Sequence, residues 1–229
     1  MTRGAFRGRA SSLVRQALLV VASGVAWACG GEASRCCEPS GTVATLRPLS
    51  GDEQVGPVGS PLPQVLAASL ASSSGPLSGA AVRWSVEGAG GTLAESGTLT
   101  GADGRVTTRV VPTGVGVVRI AAVATGSGVS STPAVFTAFG VPGGAAIVLV
   151  GNNFFEPAQV SIARGGTVAW VWRGASSNHN VVPLAGTEPS GSGGPQGGPA
   201  LHTHTFATTG TYRYRCTPHS GMEGTVVVN

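Results

Sequence analysis

Cys216-Thr217-Pro218-His219-Ser220-Gly221-Met222 sets a thiol, an imidazole and a thioether within seven residues. Thr211-Tyr212-Arg213-Tyr214-Arg215 leads into this stretch, and the β-branched run from Thr225 to Val228 leads out of it, so a tight loop between two strands is predicted. A second imidazole, His179, stands upstream in Ser177-Asn178-His179-Asn180-Val181-Val182, at the end of another predicted strand. A lone Cys reads as a small hydrophobe and a lone Met as core filler. Two His, one Cys and one Met in this order, with three of them on one short loop, read instead as a metal site.

The donor types say which metal. Soft sulfur favours Cu(I) and imidazole suits Cu(II), and two His with one Cys and a weak axial Met are the ligands of a blue-copper electron-transfer centre. Structural zinc would use paired Cys or His and no thioether. A binuclear copper site needs a second Cys in the loop, and the loop has none. The candidate ligands are therefore His179, Cys216, His219 and Met222, for one copper ion.

Outward from these residues the pattern is β throughout. Ala145 to Val150, Val160-Ser161-Ile162-Ala163 and Thr167 to Trp172 read as strands, with Arg164-Gly165-Gly166 turning between the last two. Pro183 to Pro199 is heavy in Gly, Ser and Pro and is expected to have no fixed structure of its own. His202 and His204, two apart before Phe206, share one strand face. They are read as solvent-facing residues, with a second copper site the alternative. Trp170 with Trp172, and Tyr212 with Tyr214, are assigned to packing.

Residues 144–229 resemble the plastocyanin, amicyanin and pseudoazurin group of small cupredoxins. The resemblance rests on Phe155-Glu156-Pro157, Arg164-Gly165-Gly166-Thr167-Val168, Trp170-Val171-Trp172, His179-Asn180-Val181, Phe206, Gly210-Thr211-Tyr212-Arg213-Tyr214, Cys216 to Met222 and Gly224 to Val228. The short spacing between His219 and Met222 looks most like amicyanin. The resemblance implies a Greek-key β-sandwich of about eight strands and transfer of single electrons between redox partner proteins, without enzymatic turnover. It also implies that the Asn180 amide donates to the Cys216 sulfur and that the Asn180 side chain pins the two ligand loops, while His219 is the solvent edge for the electron.

Residues 42–140 give short β-branched runs between Gly, Pro and Ser clusters. Ala81-Val82-Arg83-Trp84-Ser85-Val86 alternates with period two, Arg105 to Val111 and Val117 to Ala124 follow, and Ala102-Asp103-Gly104 is a candidate hairpin turn. Pro61-Leu62-Pro63, the Trp84 strand, Gly90-Gly91-Thr92-Leu93, Thr100 to Arg105 and Val135-Phe136-Thr137-Ala138 resemble the bacterial immunoglobulin-like domains of invasin- and intimin-type surface proteins. That resemblance implies a second β-sandwich acting as a spacer. Val141-Pro142-Gly143-Gly144 is the expected flexible break between the two domains.

Residues 1–28 read as an export signal: Arg3, Arg7, Arg9 and Arg15 precede an apolar stretch from Ala17 to Ala28, too short for a stable membrane anchor. Cys29 follows Ala26-Trp27-Ala28, so it is either the lipidated first residue of a lipoprotein or a residue beyond an ordinary cleavage site. Residues 29–41 are a tether; the roles of Cys36 and Cys37 stay open. Export places the protein in the periplasm or at the cell surface. Of the 14 Arg and Lys, four lie in the signal, leaving ten against the 10 Asp and Glu, so there is no basic face for nucleic acid. Copper delivery or storage, and an adhesin-like role without redox turnover, are the alternatives to electron transfer.

Overall fold

A computed structural model describes residues 42–126, 129–174 and 178–229. The expected export signal and tether, with Cys29, Cys36 and Cys37, lie outside the described residues. Every regular element among those described is a strand, so the protein is all-β.

Twelve strands precede Pro142. They are β1 (Thr42–Ser50), β2 (Gln54–Pro57), β3 (Leu66–Ser72), β4 (Gly75–Pro76), β5 (Ala81–Gly88), β6 (Gly91–Leu93), β7 (Gly97–Leu99), β8 (Arg105–Thr108), β9 (Val110–Pro112), β10 (Gly116–Thr125), β11 (Val129–Ser130) and β12 (Ala134–Val141). One sheet runs β11-β1-β3-β4, with β8 also on β3, and a second runs β2-β12-β10-β5-β7. The period-two reading of β5 holds: Val82 and Trp84 are buried while Arg83 and Ser85 are exposed. Trp84 packs on Phe136 of β12 with ring centroids 5.8 Å apart, and its indole N–H donates to Thr98 Oγ1 at 3.0 Å.

Ala102-Asp103-Gly104 is a turn but not a hairpin. Gly104 N–H closes it onto Gly101 O at 2.9 Å, yet β7 pairs with β5 and β8 pairs with β3. The turn therefore carries the chain from one sheet to the other. Gly104 has φ +72°, and a side chain there would strike the Leu70 carbonyl, so both backbone and space require glycine.

Eight strands follow: β13 (Ala146–Gly151), β14 (Phe154–Glu156), β15 (Gln159–Ile162), β16 (Thr167–Trp172), β17 (Val182–Pro183), β18 (Ala200–Thr205), β19 (Gly210–Arg215) and β20 (Glu223–Val228). They form two four-stranded sheets, β14-β13-β16-β18 and β15-β20-β19-β17. The chain crosses between the sheets from β14 to β15, to β16, to β17, to β18 and to β19, as a Greek-key sandwich requires. Inward residues two apart build the core, Val148 with Val150, Val168 with Trp170 and Trp172, Tyr214 with Cys216, and Val226 with Val228. Trp170 and Trp172 are fully buried. Each removes on the order of 200 Å² from water, worth at most about 5 kcal/mol, so the packing role assigned to them is met.

The break at Val141-Pro142-Gly143-Gly144 is tighter than expected. β12 continues through Val141, and Ala145 N–H closes the turn on Pro142 O at 3.2 Å. Across it, Gly174 lies against the Glu53 carboxylate. The Pro183–Pro199 segment contributes little strand, but its backbone is bonded to the chain around His179, so it has a fixed place.

Tyr214 is fully buried two residues before Cys216, with Trp170 edge-on at 5.3 Å and Phe155 at 4.8 Å. Burial pushes its phenol up to about 12. Gly224, its cross-strand neighbour, leaves the space that the ring fills, and a Cβ there would collide with it. Because Trp170 and Phe155 block retreat, Gly224→Ala is expected to destabilise the protein by about 1–3 kcal/mol, as overpacking does, in urea unfolding.

Candidate metal centre

The ligand loop is built by the hairpin that flanks it. β19 ends at Arg215, immediately before Cys216, β20 begins just after Met222, and the two strands pair from Gly210↔Val228 to Arg215↔Glu223. Cys216 N–H then donates to Met222 O at 2.9 Å, and Met222 N–H donates to His219 O at 3.2 Å. These bonds leave few conformations to the residues between. Cys216 and Met222 are each 2 % exposed and belong to the same core, whereas His219 is only half-buried.

His179 arrives from the other side. Asn178 takes a left-handed φ of +56°, a conformation Asn tolerates, and turns the chain into the site. His179 and Gln196 exchange backbone bonds at 3.0 Å in both directions, and Trp172 Nε1–H donates to His179 O at 3.3 Å. The imidazole is 1 % exposed. Its Nδ1 lies 3.7 Å from Cys216 Sγ, and His219 Nδ1 lies 3.4 Å from the same sulfur. The ligand atoms of the three residues all fall within 4.8 Å of one another, the only such group among the described residues.

These separations fit a metal. With bonds of about 2.3 Å to sulfur and 2.0–2.1 Å to nitrogen, two ligands of one ion stand about 3.5–3.8 Å apart. The proton arrangement also fits. His179 Nε2 lies 3.4 Å from Asn152 Oδ1, an acceptor that draws the ring proton to Nε2 and leaves Nδ1 its lone pair. Burial, and then the nearby His219 ring, hold His179 below the ordinary imidazole range, which keeps it in the neutral, ligating form.

Asn180 ties the two ligand loops together. Its Oδ1 accepts from Thr217 N–H at 2.8 Å, and its Nδ2 donates to Thr217 Oγ1 at 3.0 Å and to Gly193 O at 3.4 Å. The expected pinning by this side chain is present. The expected Asn180 amide bond to sulfur is not among the hydrogen bonds of the described residues; the backbone group beside Sγ is the Asn178 carbonyl, at 4.0 Å.

His202 and His204 are not solvent-facing. They are half-buried, His202 stacked on Trp170 at 5.6 Å and His204 edge-on to Phe206 at 4.6 Å. Sequence reasoning gave no role to Asn152, Gln196 or Thr217. Thr217 sat inside the quoted motif; Asn152 reads as a turn former in Gly151-Asn152-Asn153, and only the fold brings it to His179.

Residues 150–229 match the family described as copper binding proteins, plastocyanin/azurin family. Plastocyanin of Scenedesmus fuscus is 38% identical over 84 residues, which cover 32% of this chain and 85% of that protein. The chain belongs to the plastocyanin/azurin family of copper-binding proteins. Amicyanin of Paracoccus denitrificans is 37% identical over 87 residues, covering 37% of this chain and 66% of amicyanin. Halocyanin of Natronomonas pharaonis is 38% identical over 84 residues, covering 34% of this chain and 51% of that protein. Among solved structures, the reduced Cu(I) form of an amicyanin variant at pH 4 shares 36% identity, covers 39% of this chain and 86% of its own, and superposes with a TM-score of 0.34. A family that binds one type 1 copper ion accounts for the donor set.

Two outcomes follow for the copper domain. Asn180→Ala strips the Thr217 amide of its acceptor and unties the loops; a 10- to 100-fold loss of copper affinity is expected from such an outer contact, read by competition with a chelator. Without metal, stability should fall as the pH drops below about 6.5. The unfolded chain then takes up protons that folded His179 and His202, both lowered chiefly by burial, refuse, so the unfolded state gains. Urea melts of the metal-free protein across pH 5 to 8 measure this.

Proposed function

We propose that residues 144–229 are a type 1 copper domain that carries single electrons between redox partner proteins, with His179, Cys216, His219 and Met222 as the ligands. The observation that carries this reading is the convergence of two imidazole nitrogens on one thiol sulfur, at 3.7 and 3.4 Å, with only one of the imidazoles reaching the surface. Copper, when bound, supplies the one-electron couple. The chain supplies a fixed donor cage: His179 is held through Gln196, Trp172 and Asn152, Cys216 through Met222, and His219 is spared for the solvent edge. A cage that moves little between two charge states keeps reorganisation small.

The protein is then a carrier and turns over no substrate of its own. The electron leaves by His219, which lines a surface depression with Arg215, Thr217, Ser220, Gly221 and Glu223. Residues 42–140 are proposed as an immunoglobulin-like spacer, residues 1–28 as an export signal and residues 29–41 as the tether. That order puts the copper domain in the periplasm or at the cell surface, with Cys29 the place of a lipid anchor.

The full-length protein titrated with Cu(II) should develop an intense blue band. The band should bleach reversibly with a mild reductant and be absent from Cys216→Ser. A colourless protein, or a copper spectrum indifferent to Cys216, overturns the electron-carrier reading in favour of copper storage or a structural, adhesin-like role.

A further inference from the structure

The Gly- and Ser-rich segment between β17 and β18 has too few apolar side chains to hold itself in place, yet it touches two groups that the copper site does not otherwise connect. At one end is Ser190. Its carbonyl lies 2.7 Å from His202 Nε2, and its hydroxyl and amide lie 3.0 and 3.3 Å from His204 Nδ1. The carbonyl can only accept, so His202 Nε2–H donates to it. The amide can only donate, so His204 Nδ1 accepts and the His204 proton sits on Nε2, which lies 3.8 Å from Glu188 Oε1. Both rings are anchored in turn, His202 on the fully buried Trp170 and His204 on Phe206.

At the other end is the segment that carries His179, just before β17. Ser192 N–H donates to Val181 O and Val181 N–H donates to Ser192 Oγ, each at 2.9 Å. Gly193 O takes the Asn180 side chain, and Gln196 pairs with His179. β17 lies at the edge of its sheet, so this loop is what covers the backbone of His179 and Val181 on that side.

We propose that Glu188–Gln196 is a clasp by which His202 and His204, acting through Ser190, position His179 and Asn180. They are positioning residues and not ligands, since neither belongs to the one group of metal-spaced donors among the described residues. The importance of His179 rests on the copper reading; the clasp itself does not.

The test uses the full-length protein without metal and follows amide hydrogen exchange. His202→Phe keeps a ring on Trp170 but removes the donor to Ser190, and it should speed exchange at His179, Val181, Ser192 and Gln196 at least tenfold. Tyr212 and Val226, in β19 and β20, should exchange as before. If His202→Phe does not fold, as faster exchange at Tyr212 and Val226 would report, His204→Phe decides by the same readout. Unchanged exchange at His179 and Val181 in a folded variant overturns the clasp. With copper bound, the variant should start with the parent's colour and lose metal to a chelator at least tenfold faster. A parent protein that binds no copper removes the ligand role of His179 and leaves the exchange result to judge the clasp alone.

Discussion

The Cys216 amide donating to the Met222 carbonyl, across 2.9 Å, is the bond on which the geometry of the centre depends. It fastens the two ends of the ligand loop to each other where β19 and β20 stop pairing, so the loop has no slack. Cys216 and Met222 are then carried into the core by the same alternation that buries Tyr214, Val226 and Val228. The hairpin does what a preformed metal site needs: it fixes the donors by backbone bonds and core packing before any ion is present, so little conformational entropy is left to lose on binding.

His179 cannot be fixed in that way, because its chain lies at a sheet edge and only two residues of β17 pair with β19. Polar contacts replace strand pairing there. Asn152, Trp172, Gln196, Ser192 and Thr217 each satisfy a group on the His179-Asn180-Val181 segment. A buried polar group left without its partner costs about 1–3 kcal/mol, so these bonds act together and the loss of one loosens the rest. The copper centre thus joins two kinds of support, a rigid hairpin on one side and a hydrogen-bonded network on the other.

What the sequence disclosed follows that division. The ligand loop was legible because its spacing is local: Cys216, His219 and Met222 declare themselves within one turn of chain between two β-branched runs. The strand Ala81 to Val86 was legible because one-sided burial imposes its alternation, and Thr167 to Trp172 because a strand buried on both faces reads as an almost unbroken apolar run. Asn152 and Gln196 were not, since a turn residue and a loop residue gain their partners only when sheets stack. Ala102-Asp103-Gly104 shows the same limit, for its chemistry announced a turn but could not say that the flanking strands join different sheets. His202 and His204 were misplaced because alternation marks a shared face without showing what lies over it.

One asymmetry of exposure carries further. Three of the four candidate donors are sealed in the core, at 1 to 2 % exposure, and His219 alone meets solvent. Under the proposed electron-carrier role, the opening that lets an electron out is also the doorway for the ion itself. A protein seated over His219 to exchange an electron bars that doorway for as long as it stays, and shields the metal from scavengers during the encounter. Loading belongs to the intervals when no partner is docked.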